Sequence, residues 1–390
     1  MSNNNTSGTW LPPLEGVRVL EHSATVAAAY AGRLLATMGA EVIMLEPPGG
    51  SPLRAMPPYM DDGEDASALF AYLAVGKRSL SCDLTTAEGR ALLAEHLADS
   101  QILIDDTPVA QRGVQGLNAE QLLEEFPELV FVSVLPFGAS GPKSSWQGEE
   151  VNLIHAAGEG FLLPNGYANE LFPNRAPLKI YGHFSSYQGG CVAALSALSA
   201  LWSAAEVGGQ FIDVSVQDAM LLCGAFALQR LGDGSLEHRA TRSFRYGGVF
   251  KTRDGYVELL TLEDRQWQGL VKLLGAPEWA VDPALNDGLE RSRRGAEIND
   301  HIRQWMLERD SDGVVDAAQQ LGVPIARYRT PADVVAGEHE RARGLFAATQ
   351  VTAEQTADVL LAPYQFLNSP LSFSGGVPEL GEMNLVEVTS

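Results

Sequence analysis

From Leu14 onward the chain alternates short apolar runs with amphipathic stretches. GVRVLEH sets Val17, Val19 and Leu20 behind Gly16 and predicts a buried strand. Small residues from Ala24 to Ala31 lead into AGRLLATMG, where Leu34, Leu35 and Met38 have helical spacing and Gly39 supplies the stop. EVIMLEPPGG reads as a second strand closed by its prolines and glycines, and LSCDL as a short third. TTAEGRALLAEHLAD predicts a helix with Thr85 as its cap and Glu88 three residues on. QILIDD is a strand, LNAEQLLEEFP a helix and LVFVSVLPFG a strand. SSYQGGCVAALSALSALWSAA reads as a helix whose small residues let it pack closely, too polar for a membrane span; GQFIDVSVQDAMLL follows as strand, then helix.

Apolar strands alternating with helices predict an α/β fold with a parallel sheet covered on both faces. In such sheets ligands sit at the carboxyl ends of the strands, which directs attention to HSATVAA, EPPGGSPLR, DDTPVAQRG and PFGASGP. Near residue 226 the pattern changes. FRYGGVFKTRDGYVELLTL predicts a β-hairpin turning at Asp254-Gly255, and three helical segments follow. The expected organisation is a disordered tail (1–10), a large Rossmann-like domain (11–225), a smaller α+β domain (226–335) and a C-terminal segment (336–390) without strong periodicity.

Composition narrows the function. With 390 residues, 45% of them hydrophobic, the chain is long enough for about two domains. Its net charge of -22 opposes binding to nucleic acid or an anionic membrane, and obliges any anionic ligand to find a local cationic or amide site. Cys82, Cys191 and Cys223 are far apart in sequence, with no CxxC and no ligand cluster for a metal. The polar start carries no basic-then-apolar signal and no apolar run reaches ~18 residues, so a soluble cytoplasmic protein is expected.

LEGVRVLEH, MGAEVIMLEPPGG, GKRSLSCDL, FVSVLPFGASGP, GGQFIDVSVQDAML, GGVFKTRDGYVEL with DRQW, and LGVPIARYRTPADV occur in an order and spacing that resemble the class III CoA-transferase (CaiB/BaiF) family. The resemblance implies a Rossmann-like large domain, a smaller domain, a C-terminal return to the large domain and an interlocked dimer. It implies an acyl-CoA and a carboxylic acid as substrates, with CoA as substrate rather than resident cofactor and no metal. Family members transfer the acyl group through an aspartate that becomes an anhydride and then an enzyme-bound thioester.

PLKIYGHFSSYQGG matches the stretch that carries this aspartate, yet Ser186 stands at its position, and no Asp or Glu lies between Leu171 and Glu206. A serine ester stores too little energy to return the acyl group to CoA. The CoA loops depart as well: Pro108 stands where the family has an arginine, Met44 where it has a lysine, and TLEDRQW lacks the flap glycines. The implied role is that of the subunit without a nucleophile, paired with an aspartate-bearing homologue. Two alternatives stand beside it: altered acyl-CoA chemistry (lyase, hydratase or isomerase) with Glu149 or Glu150 as base, or a catalytically silent acyl-CoA-binding homodimer. The candidate catalytic positions are Ser186 (with His183 as a conceivable base), Glu149 and Glu150. The candidate CoA contacts are Val26, Ala27, Lys77, Arg78, Phe137 and Gly138. Lys77 and Arg78 either hold a phosphate or pair with Asp83 or Glu46. His22, at the end of the first strand, sits near the expected ligand cleft, where a lone histidine is more often simply a hydrogen-bonding residue.

Overall fold

The computed structural model describes residues 11–60, 66–164, 166–223 and 246–387. The expected N-terminal tail and the change of character near 226 lie outside them. The described chain clusters into two compact units. One takes in the chain up to Glu159, the segment from Lys179 and the chain from Glu338; the other takes in Gly160–Leu178 and the chain up to Gly337.

The first unit is built on six parallel strands: β1 (Arg18–His22), β2 (Glu41–Glu46), β3 (Arg78–Ser81), β4 (Ile102–Asp105), β5 (Val130–Leu135) and β6 (Gln210–Ser215). Their order is β3-β2-β1-β4-β5-β6, so the direction of winding reverses between β1 and β4. The α/β sheet read from the apolar runs is therefore present. Between the strands run α1 (Val26–Thr37), α2 (Ala68–Ala74), α3 (Ala87–Leu97), α4 (Val109–Gln115), α5 (Ala119–Glu125) and α6 (Glu150–Ala156). Past α7 (Gly166–Leu171), which belongs to the second unit, come α8 (Phe184–Val207) and α9 (Val216–Cys223). The cap of α3 is Thr86, one residue later than expected, because Asp83 engages the Thr85 amide and hydroxyl.

Each strand buries alternate side chains on opposite faces. Val19, Ile102 and Ile104 pack with α1, α8 and Leu153 of α6. Leu20, Ile43, Leu45 and Leu103 pack with Leu93 and Leu97 of α3 and Leu122 of α5. Gly190 explains how closely α8 approaches α1: a Cβ there would lie 2.6 Å from the Ala27 carbonyl oxygen and 3.0 Å from the Tyr30 side chain. By length and composition α8 is apolar enough to cross a membrane, which corrects the reading of it as too polar. Its Ala-rich face is nevertheless core, while Leu195, Trp202 and Val207 are exposed.

The second unit holds an antiparallel sheet of β7 (Gly248–Lys251), β8 (Tyr256–Leu259) and β9 (Ile325–Arg327), with Asp254-Gly255 in the predicted hairpin turn. Trp267 of α10 (Asp264–Leu273), Ile302 of α11 (Gly295–Leu307) and Val314 of α12 (Ser311–Gln320) close its core. In the C-terminal part of the first unit, β10 (Phe346–Gln350) and β11 (Thr356–Leu360) form a hairpin. Buried Arg33 of α1 donates to the Leu360 carbonyl and lies 4.1 Å from the Tyr72 ring centroid, fastening that hairpin to α1.

Candidate active site

Ser186 is in the first turn of α8, and the nearest carboxylate is that of Glu150, the first residue of α6. Glu150 Oε1 accepts the Ser185 amide at 2.6 Å. Its Oε2 accepts the Ser186 amide and the Ser186 hydroxyl, each at 3.1 Å. One carboxylate thus satisfies amides at the start of a 24-residue helix, where the helix dipole favours negative charge. It also sets the Ser186 hydroxyl. Glu149 is turned elsewhere: it is exposed, precedes α6 and donates its amide to Asn152. The two glutamates therefore have separate tasks and do not act as one pair. His183, the residue before α8, faces the Tyr187 ring edge-on at a centroid distance of 6.4 Å, and the Ser186 hydroxyl bonds Glu150 instead.

An aromatic wall adjoins Ser186. Tyr187 meets Tyr30 at 4.7 Å and Tyr72 at 6.2 Å between ring centroids. Burial pushes the Tyr187 phenol up to about 12 and raises Tyr30 further, so both remain protonated at neutral pH. Val26 and Ala27 are buried at the start of α1, and the close approach at Gly190, one turn on from Ser186, brings α8 against Ala27. Phe137 and Gly138 follow β5. Asp213 of β6 accepts from the Ala139 amide (2.6 Å) and the Ser140 hydroxyl (2.8 Å), which fixes the GASGP loop.

The two candidate cations at 77 and 78 are elsewhere. Lys77 has a fully buried side chain. Its Nζ donates to Glu21 Oε2 at 2.6 Å and to the Ala29 carbonyl at 2.8 Å, so it offers no ammonium to a phosphate. Burial pushes Lys77 down and Glu21 up, and their attraction opposes both shifts. Arg78 pairs with Glu41 Oε1 at 3.1 Å, and Glu41 also holds Arg18 at 2.8 Å. These are the first residues of their strands, at the amino edge, opposite to where ligands bind in such sheets. Neither lysine nor arginine meets Asp83 or Glu46, the partners considered from sequence. Glu46 is bonded instead by Arg54, Ser79 and the Ser51 amide.

At the carboxyl edge, His22 and Asp105 end β1 and β4 as partners in register. His22 Nδ1 lies 3.1 Å from Asp105 Oδ1, which also accepts the Thr107 amide (3.1 Å) and hydroxyl (2.6 Å). Arg112 Nε stands 3.3 Å from Asp105 Oδ2. Asp106 accepts the Ala24 and Thr25 amides at 2.9 and 2.7 Å, and so occupies the donors just ahead of α1. Sequence reading noted this segment but not the inward turn of Arg112, whose one outward sign is a cation three residues into a seven-residue helix. Among the described residues no group of three or more His, Cys, Asp or Glu side chains is placed to hold a metal ion.

The six-stranded parallel sheet with its reversal of winding, and a hydroxyl bonded to a carboxylate at the start of α8, describe an α/β protein. CoA-transferase family III matches residues 14–384, and the chain belongs to that family of transferases. It is 30% identical over 338 residues to the succinyl-CoA–D-citramalate CoA-transferase of Chloroflexus aurantiacus, covering 85% of this chain and 82% of that one. It is 25% identical to the beta subunit of the succinyl-CoA–L-malate CoA-transferase of the same organism, covering 95% and 92%. A probable CoA-transferase of Mycobacterium tuberculosis, 30% identical over 80% of this chain, is longer, and the match spans 39% of it. A crystal structure of a CaiB/BaiF family protein from Brucella suis superposes with a TM-score of 0.84 at 26% identity, covering 97% and 99%.

Proposed function

We propose that this chain takes part in moving CoA between an acyl-CoA and a carboxylic acid, as the subunit without a nucleophile in a heteromeric enzyme. One observation carries the reading: position 186 bears a hydroxyl, and the carboxylate beside it is committed to three donors of α8. An alcohol there can take an acyl group as an ester, but the ester is too stable to hand it back to a thiolate. The partner chain therefore supplies the acid that forms the anhydride. Support for a partner comes from the exposed apolar side chains Leu195, Trp202, Val207 and Leu222. A relative named as a beta subunit agrees with a heteromer. The substrates named for the relatives point to short dicarboxylic acids as the acyl donors and acceptors.

The test is native mass spectrometry and a succinyl-CoA transfer assay on the chain alone and co-purified with an aspartate-bearing family member. A mixed dimer that transfers CoA, with a silent lone chain, is expected. Transfer by the lone chain at the rate of the mixture would sink the proposal.

The Ser186–Glu150 contact favours one second reading, in which Glu150 acts as a base in altered acyl-CoA chemistry of the lone chain. Glu150→Gln would then abolish turnover of acyl-CoA by the lone chain. Turnover left unchanged removes this reading.

A further inference from the structure

The strand order reverses between β1 and β4, and ligands of doubly wound sheets lie in the crevice beyond that point. His22 and Asp105 stand there, and neither has a part in acyl transfer at Ser186. Asp105 is fully buried, and its Oδ1 gathers Thr107 and His22 Nδ1. A carboxylate oxygen can only accept, so the proton between His22 and Asp105 belongs to Nδ1, which also lies 3.1 Å from the Thr107 hydroxyl. Among the described residues Nε2 has no hydrogen-bond partner, and the side chain is 21% exposed, so the ring's free end opens outward. The other charges around it are assigned. From the β4 end come Asp105 and Asp106, and from α4 comes Arg112, tied to Asp105, the Thr107 carbonyl and Ser133. From β1 itself, Glu21 points to the other face and is sealed with Lys77.

Near the crevice, other anion receptors are already engaged. The amides ahead of α1 hold Asp106, and Arg54 is on Glu46. We infer that His22, oriented by Asp105 and carrying a proton on Nε2, takes a phosphate of the CoA substrate at the crevice between β1 and β4. The inference rests on the acyl-CoA reading above. Burial works against the imidazolium, but the Asp105 hydrogen bond and the charges of Asp105 and Asp106 outweigh it and raise its pKa. Burial also pushes the Asp106 carboxyl up to about 6. Raising the pH thus removes a positive charge from the crevice and adds a negative one, so CoA binding weakens with rising pH.

The full-length chain would be titrated calorimetrically with CoA at pH 6 and pH 8, as wild type and as His22→Gln, with phosphate-free pantetheine as control. CoA affinity of the wild type should fall by about tenfold or more across that interval, the scale of one charge-assisted hydrogen bond. His22→Gln should bind CoA about tenfold more weakly than the wild type at pH 6, with the gap closing toward pH 8, and pantetheine should show no such gap. CoA carries a phosphate that titrates in the same range, so the wild-type-to-variant difference is the quantity read. Should the variant not fold, the NMR titration midpoint of the His22 ring in the wild type decides: CoA must move it upward. An unmoved midpoint, a variant with the wild-type pH dependence, or no CoA binding at either pH overturns the inference. The transfer assay of the mixed dimer still judges the reading beneath it separately.

Discussion

Glu21 and His22 are consecutive residues of β1, and both make an ion pair across to another element, yet the two pairs differ in kind. Glu21 shares the face of Val19, beneath α1. It fits there because position 32 is glycine: a Cβ would sit 1.7 Å from Glu21 Oε2. Lys77 closes the pair, and neither side chain touches solvent. His22 shares the face of Leu20 and ends the strand, with Nδ1 on Asp105 and its side chain 21% exposed. A one-residue step along a strand changes the face, and here it separates a structural pair from one able to meet a ligand. A sealed pair has already met the cost of desolvation through its partner, and breaking it is expensive. A half-open pair retains bonding capacity.

The largest effect follows from breaking the sealed pair. Lys77→Met leaves Glu21 buried without its cation and should cost about 3–5 kcal/mol in urea unfolding. Combining it with Glu21→Leu should restore much of that loss, since an apolar pair of similar size needs no compensation. A Lys77→Met loss below about 1 kcal/mol would mean that the pair is not sealed at all. Next comes the contact that seats Ser186. Gly190→Ala drives a Cβ into the Ala27 carbonyl and should cost about 1–3 kcal/mol while displacing α8 from α1. Glu150→Ala, which removes the acceptor of the α8 amides, should cost about 0.5–2 kcal/mol by thermal unfolding. Glu150→Gln should recover part of it, because one amide oxygen can still accept.

The open side has its own signature in pH. Asp106 is held by two amides, but burial dominates and lifts its pKa to about 6, above the unfolded value near 3.9. The folded state therefore binds this proton more tightly. Its contribution to stability is greatest below about pH 4 and declines as the pH rises to about 6. Asp106→Asn cannot ionise and can still accept an amide, so the variant should gain stability relative to wild type over that interval and keep the gain at pH 7. A difference that shrinks between pH 4 and 6 would reverse the assignment.

How far these features were legible depends on burial. β5 was readable because all six of its residues are buried and five of them are apolar, with only Ser133 interrupting the run. The hairpin of β10 and β11 was not, since four of the five residues of β11 are exposed and leave no alternation to read. Ser186 and Glu150 were both singled out, but not their contact: 36 residues separate them, and only the packing of α6 on α8 brings them together. Lys77 and Arg78 looked like one basic site. Which of two neighbouring cations turns inward depends on the room above Glu21, which a glycine 45 residues earlier in the chain provides.

The smallest effect tests the same contrast from the amino edge. Arg78→Ala removes one arm of an exposed pair whose glutamate keeps Arg18, so it should change stability by no more than about 1 kcal/mol. Salt should erase even that difference, because both partners are at the surface. Its effect on CoA is the sharper reading. With the phosphate held at the carboxyl edge, Arg78→Ala should leave CoA affinity at pH 6 within about twofold of wild type, a change of under ~0.5 kcal/mol, while His22→Gln lowers it about tenfold or more. If Arg78→Ala instead produced the larger loss, the phosphate would lie beside β3, and the open end of His22 would be an ordinary solvent-facing imidazole.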